Sequence, residues 1–269
     1  YDNVDVEALT NHDVMLAITP DGVRRPVASS IVLFVLALAH QLPAKERALR
    51  TAGWHGPSTI IGVGLAGRVL GSIGIGNIGA EVFRLIKPFG MRFLAHDPYA
   101  NPEVAAELGV ELVDLDELLR QSDFVCINCP LSPATRGLVG ERELGLMKPT
   151  AFLINTARGP IVDQSALYRA LHERRIRGAA LDVFEKEPID SGDPLLSLDN
   201  LIVTPHAICF TDEVALGNGQ SAIRAMLSVS RGDNPPHIVN REVLTRPGMR
   251  TKLARYAGQA GSPEGVGRE

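Results

Sequence analysis

Short apolar runs alternate with longer segments of helical periodicity between residues 69 and 204. Strands that are apolar throughout are typical of sheets covered on both faces, and their alternation with helices favours parallel strands joined by right-handed crossovers. The pattern therefore predicts an α/β fold with a doubly wound parallel sheet. The predicted strands are residues 69–75, 91–95, 124–127, 151–154, 179–183 and 201–203, and the predicted helices include residues 78–89, 115–120 and 165–175.

The two ends of the chain fall outside this alternating block. The N-terminal flank contains one short apolar stretch, at residues 14–18, and the C-terminal flank contains one predicted helix before residue 238. Neither flank is large enough to fold alone, because very small domains bury too little surface to be stable. We therefore expect a central domain of residues 23–206 and an incomplete second domain built from residues 1–22 and 207–269, with a disordered tail at 260–269.

Charge and cysteine content exclude several kinds of partner. The chain carries 27 Lys and Arg against 31 Asp and Glu, with a net charge of −4 and a pI near 6.0. Proteins that bind nucleic acid or anionic lipid usually carry a basic face, so neither is expected as a partner. The longest apolar run, residues 31–39, is too short for a membrane span and predicts a buried helix. Three cysteines cannot close a disulfide framework, which favours the reducing cytoplasm.

A short basic run follows the third predicted helix. We expect its three arginines to form the exposed face and last turn of that helix rather than a binding patch, because cations are favoured at helix C-termini. These residues are Arg174, Arg175 and Arg177.

A glycine-rich turn follows the first predicted strand. Gly74, Gly76 and Gly79 fit the spacing G-x-G-x-x-G, with Asn77 and Ile78 between the last two glycines. In dinucleotide-binding folds the first glycine makes the tight turn and the second lets a pyrophosphate approach the backbone. The third allows the helix to pack on the strand, and the pyrophosphate lies at the N-terminus of that helix. The sequence therefore predicts a Rossmann-type nucleotide site.

Asp97 lies 18 residues beyond Gly79, at the end of the next predicted strand. An acid at this place hydrogen-bonds the adenosine ribose hydroxyls and repels a 2′-phosphate, which favours NAD over NADP. A second G-x-G-x-x-G match at residues 62–67 has no such acid, and Gly71 would break the helix after it. The alternative is a plain strand–turn–helix whose glycines serve packing only.

Three polar side chains follow the later predicted strands. Arg158 follows the strand at 151–154, Glu187 lies in a turn after the strand at 179–183, and His206 follows the last strand. Ligands of open α/β sheets bind beyond the carboxyl ends of the strands, where an arginine can grip a carboxylate with two parallel hydrogen bonds. A histidine beside a carboxylate can exchange a proton near neutral pH. Each residue alone is equally consistent with an ordinary surface position, and their joint occurrence favours a catalytic site.

Cys126 and Cys129 form a C-x-x-C pair, which suggests a redox or zinc site. Residues three apart on a strand point to opposite faces, and the sequence holds no second pair to complete four ligands. We therefore expect no metal site.

With these motifs, the chain resembles the D-isomer-specific 2-hydroxyacid dehydrogenase family from about residue 4 to about residue 241. Four ordered blocks carry the resemblance. They are LGSIGIGNIG (70–79) leading to HDPY (96–99), NCPLSPAT (128–135), INTARGPIVD (154–163), and GAALDVFEKEP (178–188) followed by TPH (204–206).

The resemblance implies a role for each of the three polar residues. Arg158 would bind the substrate carboxylate and polarise the keto group. His206 would act as general acid in reduction and general base in oxidation, and Glu187 would orient it and stabilise its protonated form. Formate is disfavoured as a substrate, because relatives that act on formate have Gln where this chain has Glu187.

The resemblance also implies an NAD cofactor, with hydride passing between NADH and a 2-keto acid or D-2-hydroxy acid. Asp182 would contact the nicotinamide carboxamide, while Thr156 and Cys129 would line the cofactor cleft. The family is commonly dimeric, with a long helix at residues 27–42 and the region around Trp54 packed across the two-fold axis. The full set of expected cofactor-binding residues is Gly74, Gly76, Asn77, Ile78, Gly79, Asp97, Cys129, Pro130, Thr135, Thr156 and Asp182.

The chain departs from the family pattern at its N-terminus and after His206. It begins at Tyr1, so we expect the segment that builds most of the substrate domain in this family to be absent. Ser29 stands where the family usually has Glu, and residues 207–210 (AICF) replace a small, glycine-rich stretch. The alternative function is therefore a catalytically inactive NAD(H)-binding module, such as a truncated paralogue or a corepressor-like sensor. Phosphite oxidation, known in a relative, also stays open.

Overall fold

The computed structural model describes residues 1–54 and 59–260. Packing within the chain divides it into two compact units. We call Val27–Cys209 the central unit, and Tyr1–Pro26 together with Phe210–Glu269 the terminal unit. The expected disordered tail lies outside the described residues, apart from the backbone of Ala260.

The central unit is built on a seven-stranded sheet in the order β3-β2-β1-β4-β5-β6-β7. Every neighbouring pair is parallel, which confirms the predicted doubly wound sheet. The order reverses between β1 and β4, and in such sheets this switch point opens a crevice at the carboxyl ends of the strands. The strands are β1 (Val69–Ile73), β2 (Arg92–His96), β3 (Val110–Leu112), β4 (Phe124–Ile127), β5 (Phe152–Asn155), β6 (Gly178–Leu181) and β7 (Leu201–Val203).

Ten α-helices are assigned within the described residues. They are α1 (Val6–Asn11), α2 (Pro20–Ala39), α3 (Leu42–Ala52), α4 (Asn77–Ile86), α5 (Pro102–Leu108), α6 (Leu115–Gln121), α7 (Glu141–Leu146), α8 (Gln164–His172), α9 (Asp212–Ser230) and α10 (Pro247–Ala260). Short 3-10 helices occupy Lys87–Phe89, Gly159–Ile161, Pro194–Ser197 and Arg241–Thr245.

Two apolar cores cover the two faces of the sheet. On β4, Phe124 and Cys126 face one core together with α2, α4 and α5, whereas Val125 and Ile127 face the other core with α6, α7 and α8. All four residues are buried, because alternate side chains of a strand point to opposite faces and both faces carry helices. The result is a rigid layer that holds the strand ends in fixed positions.

Glycine and proline explain two differences between the expected and observed boundaries near the first strand. The strand expected at residues 69–75 ends at Ile73, because Gly74 turns the chain with a positive φ of 98°. The helix expected to reach Phe89 ends as an α-helix at Ile86 and continues as a 3-10 turn that contains Pro88. Proline lacks the N–H that an α-helix interior needs.

Another predicted helix ends earlier than the periodicity indicated. The helix expected at 165–175 ends at His172, and Arg174 has a positive φ of 56°. The basic run is therefore not the last turn of a helix. Its members make separate surface contacts, Arg174 with Asp199 at 2.5 Å, Arg175 with Glu141 at 2.7 Å, and Arg177 over the Phe152 ring.

The single long helix expected at residues 27–42 is two helices. α2 begins earlier, at Pro20, and ends at Ala39, while α3 begins at Leu42. Gln41 between them has a positive φ of 52°, which breaks the helical path. α2 is long and apolar enough to cross a membrane by composition alone. However, 56% of its most apolar window is buried within the protein, and apolar core helices pass the same test.

The terminal unit is held together around Asn240, which is 1% exposed. Its amide group donates to the Val14 carbonyl and to Thr10 Oγ1, each at 2.9 Å, and accepts from the Leu16 N–H at 2.8 Å. An antiparallel bridge joins Ala17 to Ile238. The N-terminal flank and the segment after α9 therefore form one folded unit.

Candidate active site

Two of the three glycines in the turn between β1 and α4, which we call the glycine turn, pack closely against neighbouring backbone. A side chain at Gly74 would meet the backbone of Asn128 and Cys129, and one at Gly79 would meet the Gly74 carbonyl. By contrast, nothing lies within 4 Å of where a side chain of Gly76 would start, so this position faces open space. The first and third glycines are therefore required by packing, and the second leaves the backbone accessible.

The first turn of α4 carries backbone donors that no side chain caps. Gly76 is the N-cap, and the helix continues through Asn77, Ile78 and Gly79. The first N–H groups of a helix have no partner within it, and they carry the positive end of the helix dipole. Together with the open space at Gly76, this turn suits the phosphates of a dinucleotide.

Asp97 follows β2 and lies beside the glycine turn. Its Oδ2 accepts the backbone N–H of Ile75 at 3.0 Å, and its Oδ1 accepts that of Tyr99 at 2.9 Å. A carboxylate offers about four acceptor positions, so both oxygens keep capacity for a ligand. The structure thus brings together the glycine turn and the acid that the sequence placed 18 residues further on.

A buried hydroxyl without a partner lies after β5. Thr156 Oγ1 is inaccessible to solvent and makes no hydrogen bond within the described residues. A buried hydroxyl without a hydrogen-bond partner lowers stability, and a ligand that hydrogen-bonds to it removes this cost. The unpaired hydroxyl therefore fits a ligand contact. With the uncapped helix and the open Gly76, this hydroxyl is a third feature that fits a bound dinucleotide.

The loop after β4 carries Cys129, Pro130 and Thr135. Burial raises the pKa of the Cys129 thiol to about 11, so this side chain is neutral at ordinary pH. Thr135 Oγ1 donates to the Pro130 carbonyl at 2.7 Å and accepts from the Ser132 N–H at 2.8 Å. Its side chain therefore shapes the loop itself.

Arg158 is positioned by the residues on either side of it. Asn155 Nδ2 donates to the Arg158 carbonyl at 3.0 Å, and Asn155 Oδ1 accepts from the Ala157 N–H at 3.0 Å. A side chain at Gly159 would overlap the Phe184 carbonyl, so only glycine fits there. This close packing ties the Arg158 loop to the turn that leads to Glu187.

Glu187 and His206 form a direct pair. Glu187 Oε2 lies 2.7 Å from His206 Nδ1, and Glu187 Oε1 accepts the backbone N–H of Phe184 at 2.9 Å. Because a carboxylate can only accept, the pair assigns the proton to Nδ1 and leaves Nε2 for other chemistry. The His206 side chain is 45% exposed, so solvent and ligands reach it.

Asp182, at the end of β6, holds the chain on both sides of His206. Its Oδ1 accepts from Thr204 Oγ1 at 2.6 Å and from the N–H groups of Ala207 and Ile208 at 3.0 and 3.1 Å. Asp182 is 3% exposed, and His206 between these contacts has a left-handed φ of 53°. The carboxylate therefore fixes the loop that presents the imidazole.

The predicted site residues all lie in the central unit, at or beyond the carboxyl ends of its strands. The structure joins Glu187 to His206, Asp97 to the glycine turn, and Asp182 to the His206 loop. It directs the Arg158 guanidinium towards the Ala157 carbonyl, at 2.8 Å. Sequence reasoning gave no role to Asn155 or Thr204. A polar residue that ends an apolar strand was the available signal for both.

The chain matches a known family model over residues 32–207, more than half of its length. The model is described as the NAD binding domain of D-isomer specific 2-hydroxyacid dehydrogenase. The matched region contains every predicted catalytic and cofactor-binding residue.

Curated proteins and solved structures agree with this match. A protein named glyoxylate reductase from Korarchaeum cryptofilum is 41% identical over 248 residues, which cover 91% of this chain and 74% of the relative. A D-3-phosphoglycerate dehydrogenase from Methanocaldococcus jannaschii is 41% identical over 240 residues, which cover 89% of this chain and 45% of the relative. The crystal structure of a glyoxylate reductase from Paecilomyes thermophila superposes with a TM-score of 0.82 at 32% identity, covering 90% of this chain and 73% of that one.

Proposed function

Because the chain belongs to the D-isomer-specific 2-hydroxyacid dehydrogenase family, we propose that it reduces a small 2-keto acid with Arg158, Glu187 and His206 as its catalytic residues. Family membership gives the general chemistry. The protein is an oxidoreductase that uses NAD and acts on small hydroxy or keto acids. The roles of individual residues are supported by the geometry of the central unit.

The observation that carries the proposal is the contact between His206 and Glu187, at 2.7 Å. With Nδ1 donating to the carboxylate, Nε2 of the imidazolium donates a proton to the keto oxygen during reduction. It takes the proton back from the hydroxyl during oxidation. The negative Glu187 stabilises the positive imidazolium that exists on one side of the reaction. NAD, when bound, supplies or accepts the hydride.

Arg158 binds the carboxylate of the substrate. Its guanidinium offers a planar pair of donors that matches a carboxylate, and its positive charge polarises the adjacent keto group. The hydrogen bonds from Asn155 to the Arg158 turn and the close packing at Gly159 support a fixed position for the backbone that carries this side chain.

The coenzyme is held along the carboxyl edge of the sheet. The glycine turn and the first turn of α4 bind its pyrophosphate, and Asp97 binds the adenosine ribose. The loop after β4, Thr156 and Asp182 line the remainder of the cleft. The residues assigned to coenzyme binding are Gly74, Gly76, Asn77, Ile78, Gly79, Asp97, Cys129, Pro130, Thr135, Thr156 and Asp182.

The substrate proposed first is glyoxylate, since several relatives of similar identity are named glyoxylate reductase. One relative is named D-3-phosphoglycerate dehydrogenase, so 3-phosphohydroxypyruvate belongs in the same test.

The protein functions as a homodimer in the cytoplasm, without nucleic acid or membrane partners. Helix α3 has no buried residue, and Leu42, Leu49 and Trp54 are exposed on and beyond it. A helix that has no buried residue and carries large apolar side chains on its surface fits a contact with a second copy. Light scattering should then give about twice the 28.9 kDa chain mass.

The experiment is NADH oxidation measured at 340 nm with a panel of 2-keto acids, together with NADH binding by calorimetry. Glyoxylate, hydroxypyruvate, pyruvate and 3-phosphohydroxypyruvate form the panel. We expect turnover of at least one keto acid by the wild type, and its loss in His206→Ala with NADH binding retained. Tight NADH binding with no oxidation by any keto acid would instead identify an inactive coenzyme-binding module.

A further inference from the structure

Ser72 is a buried hydroxyl in the central strand of the sheet. It lies in β1, its register partners are Ala95 on β2 and Cys126 on β4, and it is 1% exposed. A buried hydroxyl is costly unless it is hydrogen-bonded, so its partners indicate why it can be accommodated here.

Ser72 connects the glycine turn to the end of β4. Its Oγ donates to the Gly74 carbonyl at 2.6 Å and accepts from Asn128 Nδ2 at 2.8 Å. The hydroxyl has a single proton, and the carbonyl can only accept, so the Asn128 contact must be a donation from the amide. Both contacts of Ser72 are therefore assigned.

The peptide group that joins Gly74 to Ile75 is fixed at both of its polar atoms. Its oxygen accepts from Ser72 Oγ, and its N–H donates to Asp97 Oδ2 at 3.0 Å. Gly74 has a positive φ of 98°, in a region where glycine lacks the steric limits of other residues. Contacts with neighbouring groups must therefore set the orientation of this peptide.

We infer that Ser72, held by Asn128, is a positioning residue for coenzyme selectivity, because it orients the peptide that holds the Asp97 carboxylate. The inference rests on the proposed role of Asp97 in binding the adenosine ribose. Ser72 acts through the Gly74–Ile75 peptide. Because NADH and NADPH carry the same pyrophosphate, a change in the ratio of their affinities reports the part of this effect that passes through Asp97. A series of hydrogen bonds runs from Asn128 through Ser72 and this peptide to Asp97. It links the ends of β4, β1 and β2 at the carboxyl edge of the sheet.

Removing the Ser72 hydroxyl frees the carbonyl end of this peptide. Rotation of the peptide then weakens the Ile75 N–H contact, and Asp97 keeps only the Tyr99 N–H as a fixed donor. A carboxylate with a wider range of orientations binds the ribose hydroxyls of NADH less tightly. It also repels the 2′-phosphate of NADPH less strongly. The nicotinamide end and the keto acid are unaffected.

The test is calorimetric titration of Ser72→Ala with NADH, NADPH and ADP-ribose. Loss of one hydrogen bond predicts about 10-fold weaker binding of NADH and ADP-ribose, and a fall of similar size in the preference for NADH over NADPH. Ser122→Ala is the matched control, because Ser122 Oγ is buried and has no hydrogen-bond partner within the described residues. It should leave all three affinities unchanged.

A double substitution separates positioning from general loosening of the sheet. If Ser72 acts through Asp97, adding Ser72→Ala to Asp97→Ala causes no further loss of NADH preference. Two results would overturn the inference. One is that Ser72→Ala lowers the NADH preference in the Asp97→Ala variant as much as it does in the wild type. The other is that Asp97→Ala changes the NADH preference while Ser72→Ala leaves it unchanged.

Two further readouts complete the test. If Asp97→Ala itself leaves the NADH preference unchanged, the proposed role of Asp97 fails, and the inference fails with it. If Ser72→Ala does not fold, Asn128→Ala is tested instead, because it removes only the donor to Ser72. It should lower the NADH preference in the same direction by a smaller factor, and an unchanged preference there would also overturn the inference.

Discussion

One carboxylate, Glu187, joins His206 Nδ1 at 2.7 Å through Oε2 and the Phe184 backbone N–H at 2.9 Å through Oε1. Each oxygen thus has a different task. The first assigns the imidazole tautomer, and the second prevents the carboxylate from rotating away. The proposed role of Glu187 therefore depends on two contacts of one side chain, one with His206 and one with the backbone.

Glu187→Gln tests this pair directly. If the amide oxygen keeps the Phe184 N–H, the amide NH₂ faces His206 and forces Nδ1 to accept, which moves the ring proton to the wrong nitrogen. The negative charge that stabilises the imidazolium is also lost. Steady-state assays should show kcat for keto acid reduction falling by about 10²- to 10⁴-fold, with the calorimetric Kd for NADH unchanged.

Glu185→Gln is the matched control for this substitution. Glu185 is exposed in the same turn, and its backbone N–H, rather than its carboxylate, makes the contact with Gln164. Its kcat should equal that of the wild type. Comparable activity in both variants would remove Glu187 from the proposed mechanism.

Arg158→Lys tests the proposed binding of the substrate carboxylate. Lysine keeps the positive charge but loses the planar pair of donors, so a bidentate contact becomes a single one. We expect KM for the keto acid to rise by about 10-fold or more, with little change in the Kd for NADH. Arg92→Lys, at the amino-terminal start of β2, should leave both unchanged. A variant at Arg158 that keeps its KM would show that another group binds the carboxylate.

Apolar strand patterns predicted six of the seven strands and missed the edge strand β3. β4 and β7 occupy the residues that the sequence predicted, 124–127 and 201–203, because each run is apolar and bounded by polar residues. β3 escaped prediction, since it contains only Val110, Glu111 and Leu112 and the last two are exposed. β7, at the other edge, is equally short but entirely apolar, so the charged Glu111 in the middle of β3, rather than its length, removes the apolar pattern.

The local sequence identified candidate site residues but not the contacts that position them. Spacing and strand ends identified Asp97, Glu187 and His206 as candidates. The three-donor contact at Asp182 joins residues 22 to 26 positions away in sequence, so only the fold reveals it. Similarly, Ser72 gave no sequence signal, because one serine in an apolar strand has no periodicity of its own.

Thr204→Val tests the contact that fixes the His206 loop. Valine has nearly the shape of threonine but cannot donate to Asp182 Oδ1, which leaves this buried carboxylate with two donors instead of three. We expect a loss of about 1.5–3 kcal/mol in the free energy of unfolding, since the bond involves a charged acceptor, and a lower kcat. Denaturant unfolding and steady-state kinetics measure the two effects. A stable variant with normal kcat would mean that the two backbone donors suffice.

Thr156→Val should have the opposite effect on the free protein. Thr156 Oγ1 is buried without a partner, so valine removes a polar group that nothing in the described residues satisfies. We expect the free energy of unfolding to stay the same or rise by up to about 1 kcal/mol, while the Kd for NADH increases. Thermal unfolding with and without NADH gives both quantities. Lower stability of the free protein would show that the hydroxyl is already satisfied, and unchanged NADH binding would show that the coenzyme does not use it.

Thiol alkylation tests the burial of Cys129 and its position in the coenzyme cleft. Its pKa is raised to about 11 because burial disfavours the thiolate, and the thiolate is the form that reacts. At pH 8 only about one molecule in a thousand carries this thiolate, so the rate of alkylation should rise about 10-fold for each pH unit up to pH 10.

The experiment follows iodoacetamide labelling by peptide mass spectrometry in Cys209→Ser, because Cys209 is also partly accessible. Burial also raises the pKa of Cys126 inside β4, so this thiol should label only on unfolding and serves as the internal control. If Cys129 lines the cleft, saturating NADH slows its labelling at every pH, whereas an unchanged rate would place the coenzyme elsewhere.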